Sequence, residues 1–115
     1  MIVGAFTLDD NILGPDAYVV LINRWNALSD DEKEATFPRV APNFIVELRS
    51  SSSTYISCHR KMLTWMNAGV EEGLLIDPIG NSRTVRIYTC DTNTNNIIWQ
   101  DHINPQSVTS QQAKA

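Results

Sequence analysis

An apolar strand-like run with one carboxylate inside it constrains the fold of this chain most. Residues 44–48 read Phe-Ile-Val-Glu-Leu, a composition typical of a buried strand. Burying an unpaired carboxylate is costly, so Glu47 must protonate, pair with a cation or bind a metal. Arg49 lies two residues on and projects from the same face of a strand. The pattern therefore predicts a central strand with either a structural Glu47–Arg49 pair or part of a metal-dependent phosphodiesterase site.

Length and charge limit the classes of protein to consider. A chain of 115 residues forms one domain with a modest core. Its net charge of −4 argues against a general nucleic-acid coat protein, but not against an enzyme that gathers carboxylates around a metal. Without a long uncharged apolar run or a leader, we expect no membrane association. The cysteines Cys58 and Cys90 lack metal-ligand spacing, and we expect buried reduced thiols in a cytoplasmic protein.

Hydrophobic periodicity predicts an α/β fold in which one main helix packs on a mixed β-sheet. Ser29 and Glu32 form a capping box that predicts a brief helix to about Thr36. The main helix is predicted over residues 55–67, with Gly69 in its C-terminal turn. Residues 1–104 are predicted to form the domain, and the polar residues 105–115 a disordered tail. Strands are predicted at residues 2–8, 17–22, 44–49, 74–76, 84–88 and 97–99.

Three acid or base positions along this pattern suggest a reaction centre. Asp16 stands at the head of a strand, Glu47 lies inside the next main strand, and Lys61 lies on the main helix. Two carboxylates on adjacent strands can hold Mg²⁺ through oxygen ligands, and a nearby ammonium can orient or deprotonate the attacking water. Arg49 keeps its proton, so it can clamp a phosphate but cannot be the base. Taken singly, Asp16 also fits a turn-forming role and Lys61 a solvated position on the helix.

A set of ordered motifs resembles the Uma2 family, a restriction-endonuclease-like group within the PD-(D/E)XK nuclease superfamily. The resemblance covers roughly residues 5–88 and rests on several segments in the family's order. These segments are Gly-Pro-Asp-Ala-Tyr-Val at 14–19, Arg-Trp-Asn-Ala-Leu at 24–28, Ala-Pro-Asn-Phe-Ile-Val-Glu-Leu-Arg-Ser at 41–50, Lys-Met at 61–62 with Gly-Val at 69–70, and Leu-Ile-Asp-Pro at 75–78.

This resemblance implies a restriction-endonuclease-like core and an Mg²⁺- or Mn²⁺-dependent endonuclease that hydrolyses DNA phosphodiester bonds. By resemblance, Asp16 is the first Asp of the superfamily motif and Glu47 its second acidic residue, so both would hold the metal. The working lysine is expected on the helix, as Lys61, and not at the strand position that Arg49 occupies. Arg49 or Arg60 would then meet phosphate. DNA is the expected partner. Members of the superfamily often pair, and an exposed sheet edge would favour pairing, so the resemblance is compatible with a homodimer and leaves the oligomeric state open.

The chain departs from the family pattern in ways that leave other functions open. The family's N-terminal helix, with a further acidic residue, is missing before Met1, and the loop after the Glu47 strand reads Ser-Ser-Ser-Ser at 50–53. These departures fit an alternative, in which the chain is a truncated, catalytically inactive member that serves as a binding or assembly module, or a fragment of a longer protein. A third alternative is a purely structural ion pair between Glu47 and Arg49 or Lys61. In that case, the Glu47→Gln substitution should lower stability and leave metal affinity unchanged.

Overall fold

The computed structural model of the chain describes residues 5–8 and 11–108. Among these residues, no helix has the length and apolar character that crossing a membrane requires. The elements in chain order are β1 (Phe6–Leu8), β2 (Asn11–Leu13), β3 (Ala17–Val19), α1 (Ile22–Asn26), α2 (Asp30–Glu34), β4 (Phe44–Leu48), α3 (Tyr55–Asn67), β5 (Glu72–Asp77), β6 (Thr84–Cys90) and β7 (Ile97–Ile103).

Five of the strands form one mixed sheet in the order β3-β4-β5-β6-β7. The central strands β4 and β5 are parallel and are joined through α3, whereas the other neighbouring pairs are antiparallel. The strands β1 and β2 form a separate two-stranded hairpin. The predicted architecture, a mixed sheet with one main helix packed on it, is therefore confirmed.

Local sequence signals set the limits of the helices. The Thr54 side chain accepts a hydrogen bond from the Ser57 N–H at 3.0 Å and caps α3. After Asn67 the chain leaves the helix through Gly69, whose φ of +113° favours glycine. The predicted helix over residues 55–67 is thus confirmed. In α2, the Ser29 hydroxyl accepts from the Glu32 N–H at 3.2 Å, as the capping box predicts.

The core lies between α3 and one face of the sheet. The helix contributes Met62, Trp65 and Met66, which are all buried. At Gly73 on β5, an added Cβ would lie 2.5 Å from Met62 Cε, so the absence of a side chain allows α3 to pack closely on the sheet. The buried hydrophobic residues are Phe6, Leu8, Val40, Ile45, Met62, Trp65, Met66, Val70, Leu75 and Tyr88.

The structure corrects several local predictions. The strand predicted to Ile22 ends at Val19, because the Asn43 side-chain oxygen accepts the Leu21 N–H at 2.8 Å and the chain turns into α1. The prediction for residues 97–99 was too short, since β7 continues to Ile103 along β6.

Other local features differ from the predictions or lie beyond the described residues. The strand β2 was not among the predicted strands. The two cysteines are free, but they are not both buried: Cys58 is half-buried and Cys90 is exposed. Part of the predicted tail, residues 109–115, and the start of the first predicted strand lie outside the described residues.

Candidate active site

The Glu47 carboxylate lies beneath one turn of α3, with its side chain only 9% exposed. Lys61 Nζ lies 3.3 Å from Glu47 Oε1 and donates to Oε2 at 3.4 Å. The buried Trp65 Nε1–H donates to Oε1 at 3.2 Å. Lys61 and Trp65 are four residues apart, so they occupy the same side of the helix and reach the strand together. The odd carboxylate of β4 therefore has two donors, both from α3.

Asp16 stands beside Glu47 through the pairing of β3 with β4. Ala17 is paired with Val46 in this antiparallel ladder, so the preceding Asp16 falls next to the following Glu47. The Leu48 N–H donates to Asp16 Oδ2 at 2.6 Å and fixes the orientation of that carboxylate. Two carboxylates from adjacent strands are thus brought together at the end of β4.

The environment makes Glu47 harder to ionise. Burial is the largest cause and raises its pKa above the ordinary value of 4.5, and the negative charge of Asp16 raises it further. Lys61 and the Trp65 hydrogen bond oppose this effect without cancelling it. The protein therefore holds a carboxylate whose charge is not fully compensated by its neighbours, and an added cation would stabilise that charge.

Lys61 contacts both β4 and the segment that precedes β3. Besides Glu47, its Nζ donates to the Gly14 carbonyl oxygen at 3.3 Å. The Lys61 side chain is 37% exposed, so the ammonium has a path to solvent from the interior of the site. A position that joins a buried carboxylate to solvent suits a group that handles a water molecule or a substrate oxygen.

The two predicted phosphate ligands lie in different surroundings. Arg49 donates to Asp77 Oδ2 at 3.0 Å and to the Ser53 carbonyl oxygen at 3.1 Å, so it joins the end of β5 to the serine loop. Arg60 is exposed on α3. Of the five predicted site residues, the structure brings Asp16, Glu47 and Lys61 together, while Arg49 pairs with Asp77 instead of Glu47.

The available donors suit a hard divalent cation. Asp16 and Glu47 provide carboxylate oxygens from two strands, and no group of three or more His, Cys, Asp or Glu side chains that could hold a metal occurs among residues 5–8 and 11–108. Mg²⁺ commonly binds through one or two carboxylates and keeps several water or substrate oxygens. Asp16 and Glu47 therefore fit this mode of binding and do not fit a fully protein-enclosed site.

Two contacts of the site were not predicted from the sequence. Neither Trp65 nor the Gly14 carbonyl was among the predicted site residues. The spacing of Lys61 and Trp65 by four residues was the available signal, because helical side chains at that spacing point in one direction. Their common target could not be identified without the packing angle of α3 on β4.

A second polar cluster occupies the other half of the same sheet face. Arg86 makes a double hydrogen bond to Asp101, with distances of 2.6 Å and 2.9 Å. Its guanidinium lies 5.2 Å from the ring centre of Tyr55 and 5.3 Å from that of Trp99. Leu75 separates Arg86 from Glu47 in the register of the sheet. These charged groups were also not predicted as partners.

Comparisons with known proteins agree with this architecture. The model of the Uma2 family, described as "Putative restriction endonuclease", matches residues 4–113. A crystal structure titled as a putative nuclease belonging to DUF820, from Anabaena variabilis ATCC 29413, is similar with a TM-score of 0.67 and 21% sequence identity. The match covers 96% of this chain and 57% of that chain, so this chain spans little more than half the length of that protein. Among curated proteins, none matches.

Proposed function

This chain belongs to the Uma2 family, and on that premise we propose that it is an Mg²⁺-dependent endonuclease that hydrolyses phosphodiester bonds of DNA. One observation carries the proposal: Asp16, Glu47 and Lys61, far apart in sequence, meet at the end of β4. Two carboxylates with an ammonium beside them are a chemically suitable set for hydrolysing a phosphodiester.

Each of these residues has a distinct role in the proposed reaction. Asp16 and Glu47 would hold Mg²⁺ or Mn²⁺, which when bound supplies positive charge against the phosphate. Lys61 would orient the attacking water and take part in its deprotonation, because its Nζ lies at the boundary between Glu47 and solvent. The Trp65 N–H fixes one Glu47 oxygen and so maintains the orientation of the carboxylate.

The residue proposed to contact phosphate is chosen by the exposure of its side chain. Arg60 is exposed on α3, one residue before Lys61, so it can meet a DNA phosphate without giving up a described partner. Arg49 is already bound to Asp77, and its phosphate role would require that pair to open. A few local cations of this kind would have to attract DNA against a net charge of −4. A DNA substrate would also fit the predicted cytoplasmic location.

Metal binding and cleavage test the proposal together. We expect wild-type protein to bind Mn²⁺ in calorimetry and to nick plasmid DNA in Mg²⁺ or Mn²⁺, with chelator abolishing cleavage. Glu47→Ala should lose both properties, whereas Glu34→Ala, an exposed carboxylate on α2, should keep both. If wild type and Glu47→Ala bind Mn²⁺ equally, the assignment of the site is wrong.

The same assay distinguishes the alternative of an inactive family member. Single-stranded DNA and plasmid should both be tested as substrates, since the geometry of the site favours neither form of DNA. DNA binding without cleavage at any metal concentration would favour a binding module over the enzyme.

A further inference from the structure

The fold orders the aromatic ring of Trp99 but leaves about half of the residue uncovered. Trp99 lies on β7, where it is paired with Tyr88 of β6, and it is 45% exposed. Tryptophan is highly buried on average, as Trp65 is in this protein. Packing of the core therefore does not account for the position of the Trp99 ring.

The contacts of the Trp99 ring come from the side of α3 and β6. The guanidinium carbon of Arg86 lies 5.3 Å from the ring centre. The centres of the His59 and Tyr88 rings lie 4.8 Å and 5.9 Å from it. Among the described residues, β7 is the last strand of the sheet, so no further strand lies beside the ring on its other side. The uncovered part of the ring therefore faces solvent at the sheet edge.

The neighbours of Trp99 are themselves held in place. Arg86 makes its double hydrogen bond to Asp101, the residue two positions along β7. The Tyr88 hydroxyl and His59 Nδ1 share a hydrogen bond of 2.6 Å. A ring that is already ordered loses little conformational entropy when a planar group stacks on it. The position is thus suited to binding a flat aromatic group from solvent.

The Trp99 ring and the proposed active site lie on the same face of the sheet. Glu47 and Asp101 are three strands apart in one row of the register, and Trp99 lies two residues from Asp101. With about 4.8 Å between strands and about 3.4 Å per residue, Glu47 and Trp99 are about 16 Å apart in the plane of the sheet. A stacked DNA strand rises about 3.4 Å per nucleotide, so about five nucleotides span this distance.

The outer surface of α3 connects the two places. His59 contacts the Trp99 ring from one side of the helix. Lys61 contacts Glu47 from the other side, since residues two apart in a helix point about 200° away from each other. Arg60 lies between them in sequence and is exposed. A DNA strand that passes over α3 from Lys61 to Trp99 would therefore bring a phosphate to the Arg60 guanidinium.

We propose that Trp99 stacks on an unpaired base of single-stranded DNA whose backbone crosses α3 at Arg60, an inference that rests on the proposed function. Proteins bind single strands by combining aromatic rings, on which bases stack, with cations that contact the backbone. In a duplex the bases are stacked on each other, and a base must be unpaired and unstacked before it can meet the ring. The substrate class is thereby narrowed to DNA with a single-stranded stretch.

Binding of a thymidine oligonucleotide of about twelve residues to the full chain tests this proposal, at low salt and with EDTA to prevent cleavage. We expect the wild type to bind with quenching of its tryptophan emission. Trp99→Ala should weaken binding by about 5- to 150-fold, the loss that removal of one stacking contact causes. Trp99→Phe keeps a ring for stacking, so its affinity should stay within about threefold while the quenching disappears.

The matched control is Ile98→Ala, which removes an exposed apolar side chain from the other face of β7. It should leave the dissociation constant within about twofold. Circular dichroism checks the folding of each variant. Should Trp99→Ala fail to fold, Trp99→Phe decides alone, because loss of quenching at retained affinity requires contact between a base and this ring.

Three results would overturn the proposal. They are an absence of oligonucleotide binding by the wild type, a folded Trp99→Ala that binds as tightly as wild type, and quenching that persists in Trp99→Phe. A blunt duplex of the same length that quenches as strongly as the single strand would also overturn it, because no unpaired base would then be needed.

The outcomes are separate from those of the proposed function, since the binding assay contains no free divalent metal. Trp99-dependent binding without plasmid nicking in Mg²⁺ or Mn²⁺ would refute the endonuclease and leave the stacking site in place. Nicking that depends on Glu47, with unchanged binding in Trp99→Ala, would refute the stacking site alone.

Discussion

Two carboxylate–cation pairs lie on the same face of the sheet, and they differ in how completely the cation compensates the charge of the acid. In the Glu47–Lys61 pair the nearest charged atoms are 3.3 Å apart, and burial raises the pKa of the acid. In the Arg86–Asp101 pair two hydrogen bonds of 2.6 Å and 2.9 Å form, and they lower the pKa of the acid below its ordinary 3.8. The charge of Glu47 is therefore incompletely compensated, whereas both carboxylate oxygens of Asp101 accept hydrogen bonds from Arg86.

The surroundings of the Arg86–Asp101 pair extend this contrast. Arg86 lies between the Tyr55 and Trp99 rings, and the Tyr88 hydroxyl and His59 Nδ1 share a hydrogen bond of 2.6 Å next to it. Burial lowers the pKa of His59 and raises the pKa of Tyr88 to about 12, so both stay neutral near pH 7. The cluster connects α3, β6 and β7 through contacts that stabilise the fold. The charge of Glu47, in contrast, is not fully compensated, and an added cation would stabilise it.

The largest expected effect is a loss of activity, and it should follow from a change in the Glu47–Lys61 pair only. Lys61→Met keeps the length of the side chain but removes the ammonium that reaches Glu47. If Lys61 assists proton transfer, the initial rate of plasmid nicking should fall by about 10²–10⁴-fold. Lys33→Met on α2 removes the same charge elsewhere and should leave the rate within about twofold. A Lys61→Met variant that nicks plasmid at the wild-type rate would exclude this lysine from the proposed reaction.

The second expected effect is on stability and belongs to the Arg86 cluster. Arg86→Ala removes the double hydrogen bond to Asp101 and the contacts with two rings, so the free energy of unfolding should fall by about 1–3 kcal/mol. Urea denaturation followed by circular dichroism measures this change. Arg83→Ala, at an exposed position three residues earlier, should change it by less than about 0.5 kcal/mol. A loss of Mn²⁺ affinity in Arg86→Ala at a temperature where it is folded would mean that the two pairs are coupled.

A smaller effect of opposite sign is expected at Glu47. The raised pKa means that the charged form is less favoured in the folded protein than in the unfolded chain, so at pH 7 it lowers stability. Glu47→Gln keeps an acceptor for Trp65 and removes the buried charge, and Lys61 is exposed enough to be hydrated. We expect Tm to rise by about 2–5 °C, as about 1 kcal/mol does in a domain of this size.

Calorimetry of the same variant completes this test. Mn²⁺ binding should be lost in Glu47→Gln although the protein is more stable. The alternative of a purely structural ion pair gives the reverse pattern: a lower Tm with unchanged metal affinity. Thus one substitution, measured in two ways, decides whether Glu47 serves stability or function.

The sequence predicted those features that depend on local signals. The limits of α3 followed from its apolar stripe and Gly69, and β4 followed from its apolar run. The partner of Glu47 did not follow, because Arg49 and Lys61 were both candidates, and the structure pairs Arg49 with Asp77 and Lys61 with Glu47. The Arg86–Asp101 pair depends on the register of β6 with β7, which no local pattern fixes. Lys61 was placed beside Glu47 by family resemblance, and spacing alone left it a solvated helix residue.

On acidification, Glu47 should be protonated at a higher pH than Asp101. The resulting change in the stability of the fold should be the smallest of the predicted effects. Glu47 takes up its proton at a pH above 4.5, so Mn²⁺ affinity should fall by about tenfold per pH unit below its pKa. Because this pKa is raised, protonation of Glu47 on acidification adds stability to the fold. Asp101 behaves oppositely: its lowered pKa gives stability above pH 3.8 that is lost only as pH falls through its folded value. Calorimetry and circular dichroism on the same samples should therefore show metal affinity disappearing while the fold persists. A simultaneous loss of both would show that the Glu47 and Arg86 pairs form one unit, and that the difference between them has no consequence for function.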